Sequence, residues 1–160
     1  MREYLIEYRS ASPEQTEAFG ARLATALPSR DDAPAILYLA GDLGSGKTTL
    51  ARGFIHGLGI VDEVRSPTFA LLEPYAGETR SVLHLDLYRL LDPAELEALG
   101  LRDWAQPHMV WLIEWPERGG TRLPEADVRV VLSVADRTHG ICASAATPFG
   151  RAWLMRANTA

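Results

Sequence analysis

The apolar run Ala35-Ile36-Leu37-Tyr38-Leu39-Ala40 breaks into Gly41-Asp42-Leu43-Gly44-Ser45-Gly46-Lys47-Thr48-Thr49 and resumes as Leu50-Ala51-Arg52-Gly53-Phe54-Ile55. A strand that turns through glycines straight into a helix restricts the fold sharply, because such a unit belongs in an α/β sheet with a parallel centre. Gly41, Gly46, Lys47 and Thr48 also satisfy G-x-x-x-x-G-K-[ST], the P-loop pattern. In that pattern glycines let the backbone approach a ligand, and the N–H groups from Asp42 to Thr48 surround a polyphosphate at the positive end of the following helix. Lys47 then reaches the terminal phosphates, Thr48 offers a hydroxyl to Mg²⁺, and Thr49 completes the loop.

The rest of the chain reads as alternating strands and helices. Arg2 to Arg9 alternates as a strand, and Ser12-Pro13-Glu14-Gln15 supplies an N-cap, a first-turn proline and a capping-box glutamine for a helix from Pro13 to about Leu27. After strand 35–40, a helix runs to about Leu58. Further strands are expected at Thr68 to Tyr75, Ser81 to Tyr88, Met109 to Glu114, Asp127 to Ala135 and Gly140 to Ala146, with helices at Pro93 to Leu99 and Phe149 to Ala157. The expectation is a P-loop-type three-layer α/β fold in one domain, 1–160, with a mainly parallel central sheet and antiparallel additions, its ligand site lying at the carboxyl ends of the strands.

Two strands carry acids to that end. In Val82-Leu83-His84-Leu85-Asp86-Leu87-Tyr88, a period of two sends Leu83, Leu85 and Leu87 to one face and His84, Asp86 and Tyr88 to the other. Met109-Val110-Trp111-Leu112-Ile113-Glu114 is almost wholly apolar until it ends in a carboxylate. Nucleotide hydrolysis needs such groups, one to help hold Mg²⁺ and one to orient the attacking water. Simpler readings exist for each: Asp86 capping a turn or pairing with Arg89, Glu114 as a first-turn acid of the next helix, His84 as a hydrogen-bonded strand histidine. Arg65-Ser66-Pro67-Thr68-Phe69 places two hydroxyls around a proline, either as a turn before a strand or as a segment that senses a terminal phosphate.

Charge limits the partners. The chain carries 16 Lys and Arg against 21 Asp and Glu, a formal net charge of −5, and its basic residues form no run. It is therefore unsuited to gripping nucleic acid alone. The lone Cys142 reads as a small strand hydrophobe. No apolar stretch is long enough to span a membrane and the N-terminus lacks a signal peptide's centre, so a cytoplasmic location is expected.

GDLGSGKTT, SPTF, HLDLYRL and IEWPE, in this order, resemble the TsaE family of bacterial ATPases over residues 12 to 135. The resemblance implies ATP and Mg²⁺ as ligands, and TsaD and TsaB as partners in forming N6-threonylcarbamoyladenosine in tRNA, with tRNA met only through the complex. It further implies that Lys47 serves the phosphates and that Thr48 and Glu114 contact Mg²⁺. By the same resemblance, Asp86 is expected to orient water or act behind the metal, and Ser66 and Thr68 to belong to a switch-like segment. Thr138 to Ala143 departs from the family pattern. A small-molecule kinase and a nucleotide-gated binding module with negligible turnover are the alternatives. A GTPase is disfavoured, because N-K-x-D needs an asparagine and the chain's only one is Asn158.

Overall fold

A computed structural model describes residues 3–159. Seven strands form one sheet: β1 (Leu5–Ser10), β2 (Ala35–Ala40), β3 (Leu72–Tyr75), β4 (Ser81–Asp86), β5 (Met109–Glu114), β6 (Val128–Ala135) and β7 (Thr138–Ala145). Their spatial order is β1-β7-β6-β2-β5-β4-β3. The four central strands β6, β2, β5 and β4 run parallel, while β3 closes one edge and β7 and β1 extend the other, all antiparallel. Pro74, which cannot donate to a ladder, sits in the edge strand β3, as such a residue must.

One face of the sheet is covered by α1 (Pro13–Ala26), α2 (Lys47–Gly57) and α3 (Pro148–Thr159). The start of α1 follows its sequence signals. Ser12 Oγ accepts from the Gln15 N–H at 3.2 Å, and Gln15 Oε1 reaches back to the Ala11 N–H at 2.7 Å. Helices α1 and α2 lie close enough that a Cβ on Gly53 would collide with the Glu17 carbonyl, and one on Gly20 with that of Leu50.

Among the described residues, the opposite face carries no α-helix. It is covered by short 3-10 helices at Pro93–Leu99, Leu101–Trp104, Pro116–Arg118 and Gly120–Arg122, packed on Leu83, Leu85, Leu87, Trp111 and Ile113. The expected helix at 93–99 is thus a 3-10 segment, stopped by Gly100 in the left-handed region after seven residues. Several strand boundaries also shift: β1 runs from Leu5 to Ser10, β6 begins at Val128, and β4 ends at Asp86 rather than Tyr88, because Asp86 Oδ1 accepts the Tyr88 N–H and turns the chain there. Residues 68–70 turn rather than extend, so β3 begins at Leu72. β7 begins at Thr138, two residues early, because Asp136 takes φ 56° and closes a two-residue hairpin after Ala135. Arg2, expected to open the first strand, lies outside the described residues.

Parallel register sets the functional level. Leu39 of β2 pairs with Glu114 of β5, and Glu114 with Asp86 of β4. Both acids therefore stand at the carboxyl ends of adjacent strands, level with the start of the glycine loop.

Candidate functional site

The loop 41–46 leaves β2 and delivers the chain to α2, whose first turn has no side-chain cap. Its N–H groups are thus left for a ligand or solvent. Gly41 adopts φ 144°, and a Cβ there would strike the Leu132 carbonyl on β6, so only glycine fits the exit from β2. Leu43, Gly44, Gly46, Lys47, Thr48 and Thr49 line a cleft of about 570 Å³. Gly41, Asp42 and Ser45 of the same loop do not line it.

Lys47 is only 5% exposed and folds back over the loop. Its ammonium donates to the carbonyls of Gly41 at 2.7 Å and Asp42 at 2.8 Å, and its Nζ lies 4.4 Å from the centre of the Trp115 ring. Burial lowers its pKa, against the attraction of Glu114 first and then Asp86, Glu117 and Asp42. Trp115 holds that position from a strained backbone. Its φ of 56° is rare for a bulky residue, and its N–H reaches the Leu39 carbonyl at 3.3 Å.

Glu114, 2% exposed, ends β5 as the sequence pattern anticipated. The Thr48 hydroxyl lies 3.0 Å from each of its carboxylate oxygens, and His84 Nε2 lies 2.6 Å from Oε2. It caps no helix; the first-turn acid of the following 3-10 segment is Glu117. Asp86 does two things at once. Its Oδ1 accepts the Tyr88 N–H at 3.0 Å, closing a local turn, while its Oδ2 accepts the Ser66 hydroxyl. It does not pair with Arg89, which lies over the exposed Phe69 ring at 4.8 Å. Thr68 Oγ1 sits 3.4 Å from Ser66 Oγ, so the Ser-Pro-Thr segment is tied to the site through Asp86. All of Ser66, Thr68, Asp86 and Glu114 line the same cleft.

The far wall was not anticipated. Ala11, Ser12, Pro13 and Thr16 line it together with Arg137 and His139. His139 Nδ1 lies 2.7 Å from the Ser45 carbonyl, a contact across 94 residues that ties β7 to the loop. His139 of the segment 138–143 is therefore part of the wall of the cleft. Cys142 lies in β7 with its thiol pKa raised by burial, in keeping with a packing role. Trp111 is buried and donates to the Trp104 carbonyl at 3.0 Å, whereas Trp115 stands at the rim.

Mg²⁺ is compatible with this donor set. Thr48 and Glu114 offer hard oxygens side by side, and Mg²⁺ typically uses one or two protein oxygens plus phosphate and water. No group of three or more His, Cys, Asp or Glu residues converges as a metal cage among the described residues. No helix among them is long and apolar enough to cross a membrane.

Comparison with known proteins gives a consistent answer. The family model described as "Threonylcarbamoyl adenosine biosynthesis protein TsaE" matches residues 10–140. The chain is 44% identical to the tRNA threonylcarbamoyladenosine biosynthesis protein TsaE of Haemophilus influenzae, over 83% of this chain and 85% of that one. It is 38% identical to the protein of the same name from Bacillus subtilis, over 81% and 78% of the two chains. The crystal structure of Bacillus subtilis YdiB superposes with a TM-score of 0.79 at 27% identity, covering 99% of this chain and 97% of that one.

Proposed function

The chain belongs to the TsaE family of threonylcarbamoyladenosine biosynthesis proteins, and on that premise we propose that it binds and hydrolyses ATP with Mg²⁺. In this reading it serves tRNA N6-threonylcarbamoyladenosine formation by resetting a complex with TsaD and TsaB, and it meets tRNA only through that complex. The observation that carries the proposal is the apposition of Thr48, at the mouth of the P-loop, with Glu114, delivered by the neighbouring strand, 3.0 Å apart. A glycine-rich turn with an incidental lysine would have no reason to face a buried carboxylate.

Each residue has a role in this reading. The loop 41–49 receives the phosphates through the N–H groups at the start of α2. Lys47 exchanges its two loop carbonyls for phosphate oxygens, an exchange made easier because its ammonium is already desolvated. Thr48 and Glu114 hold Mg²⁺, which supplies charge neutralisation at the phosphates. Asp86 keeps one oxygen for Ser66 and orients water on the phosphate side, and Ser66 and Thr68 carry the nucleotide state to the protein surface.

With no basic run and a net charge of −5, the chain exerts its effect through protein contacts. Differential contacts in the two nucleotide states typically shift a docking equilibrium by about 1–3 kcal/mol. The deciding experiment measures ATP turnover of the purified protein alone and then with TsaD, TsaB and tRNA, with partner affinity measured in ATP analogue, ADP and no nucleotide. Turnover that rises with the partners and an affinity that follows nucleotide state are the expected results. Equal affinity in all three states would reject the switch, and absence of turnover under every condition would reject the ATPase assignment.

A further inference from the structure

His84 is fully buried on β4, on the helix-facing side of the sheet, between Val82 and Asp86. Its Nε2 contacts Glu114 Oε2 at 2.6 Å, while its Nδ1 is buried with no hydrogen-bond partner. A buried polar atom left unpaired is destabilising. A leucine would fill this position without that cost, so what the imidazole contributes is the Nε2 bond. Because Nε2 faces a carboxylate, it is the donor in that bond.

The second grip on the same carboxylate is symmetric. Thr48 has one hydroxyl proton and lies 3.0 Å from both Oε1 and Oε2, so it cannot by itself fix which oxygen faces which way. The His84 bond breaks that symmetry. It also reaches its partner diagonally, since His84 lies opposite Leu112 in the register and Glu114 is two residues further along β5. The imidazole therefore braces the carboxylate from beneath, at the protein side of the cleft.

We propose that His84 is a positioning residue that pins Oε2 of Glu114 and so leaves Oε1 as the oxygen offered to the metal or its bound water. This rests on the assignment of Glu114 to Mg²⁺ made above. Residues that orient a metal-binding side chain usually matter at the level of metal affinity, by about 10–100-fold.

The test compares His84→Leu, His84→Gln and His84→Asn by calorimetric binding of a non-hydrolysable ATP analogue, titrated with Mg²⁺ and repeated in EDTA. The glutamine amide reaches the Nε2 position, whereas the asparagine amide stops at the Nδ1 position. His84→Leu and His84→Asn are expected to raise the Mg²⁺ midpoint about tenfold or more, with His84→Gln within about threefold of the unsubstituted protein and all EDTA affinities nearly equal. If the leucine variant does not fold, the glutamine and asparagine pair decides. A midpoint unmoved in His84→Asn, or moved equally in His84→Asn and His84→Gln, overturns the proposal while leaving the metal role of Glu114 standing. Binding of the unsubstituted protein that is indifferent to Mg²⁺ overturns that metal role, and the His84 proposal with it.

Discussion

Replacing Lys47 with methionine keeps the length and most of the volume of the side chain and removes only its charge and its donors. In the free protein the ammonium bonds two carbonyls, at 2.7 Å and 2.8 Å, and lies over the Trp115 ring at 4.4 Å. Phosphate oxygens share a net negative charge, so exchanging neutral carbonyls for them strengthens the bonds. A hydrogen bond involving a charged group contributes about 1.5–3 kcal/mol. At 1.4 kcal/mol per tenfold, losing one such bond weakens nucleotide binding by roughly 10- to 150-fold. Lys47→Met is therefore expected to bind a non-hydrolysable ATP analogue within that range more weakly. Calorimetry would measure the affinity, and a thermal melt would check that the variant is folded. An affinity within about twofold of the unsubstituted protein in a folded variant, less than any charged hydrogen bond is worth, would refute the reasoning and remove Lys47 from the phosphate site.

The two acids should separate experimentally. Glu114→Gln is expected to shift the Mg²⁺ midpoint of binding, whereas Asp86→Asn, which loses the charge facing Ser66, should lower turnover with nucleotide affinity nearly kept; variants indistinguishable in both assays would show the division of roles to be wrong. Gly53→Ala drives a Cβ into the Glu17 backbone where α1 crosses α2, an overpacking expected to cost about 1–3 kcal/mol and to lower the melting temperature by about 2–4 °C for each kcal/mol. An unchanged melting temperature would mean that the helices separate without strain.

The arrangement of the glycine loop and its neighbouring acid was legible because its information is local. Strand 35–40 has the same bounds in sequence and structure, the glycine loop follows it directly, and the apolar run 109–114 ends on the acid it was expected to present. Period-two alternation also assigned the faces of β4 correctly. Leu83, Leu85 and Leu87 pack beneath the 3-10 layer, while His84 and Asp86 face the helices and the site. What it could not give was that His84 touches Glu114 rather than filling space, because that contact depends on the parallel register between β4 and β5.

The opposite wall is a product of pairing between the two ends of the chain. β1 and β7 run antiparallel with Ser10 beside His139, which brings the Ala11-Ser12-Pro13 entry to α1 against residues 137–139 and both against the loop at Ser45. No spacing rule relates positions 129 residues apart in the chain, so a sequence pattern that leaves His139 just ahead of an expected strand cannot mark it as a cleft residue. The same geometry shows what the contact requires. His139 holds the loop through a backbone carbonyl, Ser45 O, and a carbonyl places no demand on side-chain identity beyond a donor of the right reach. At the glycine-loop end, by contrast, Thr48 and His84 each bond the Glu114 side chain at 2.6–3.0 Å, so a change at Glu114 strips both of a partner and a change at either of them strips Glu114 of one.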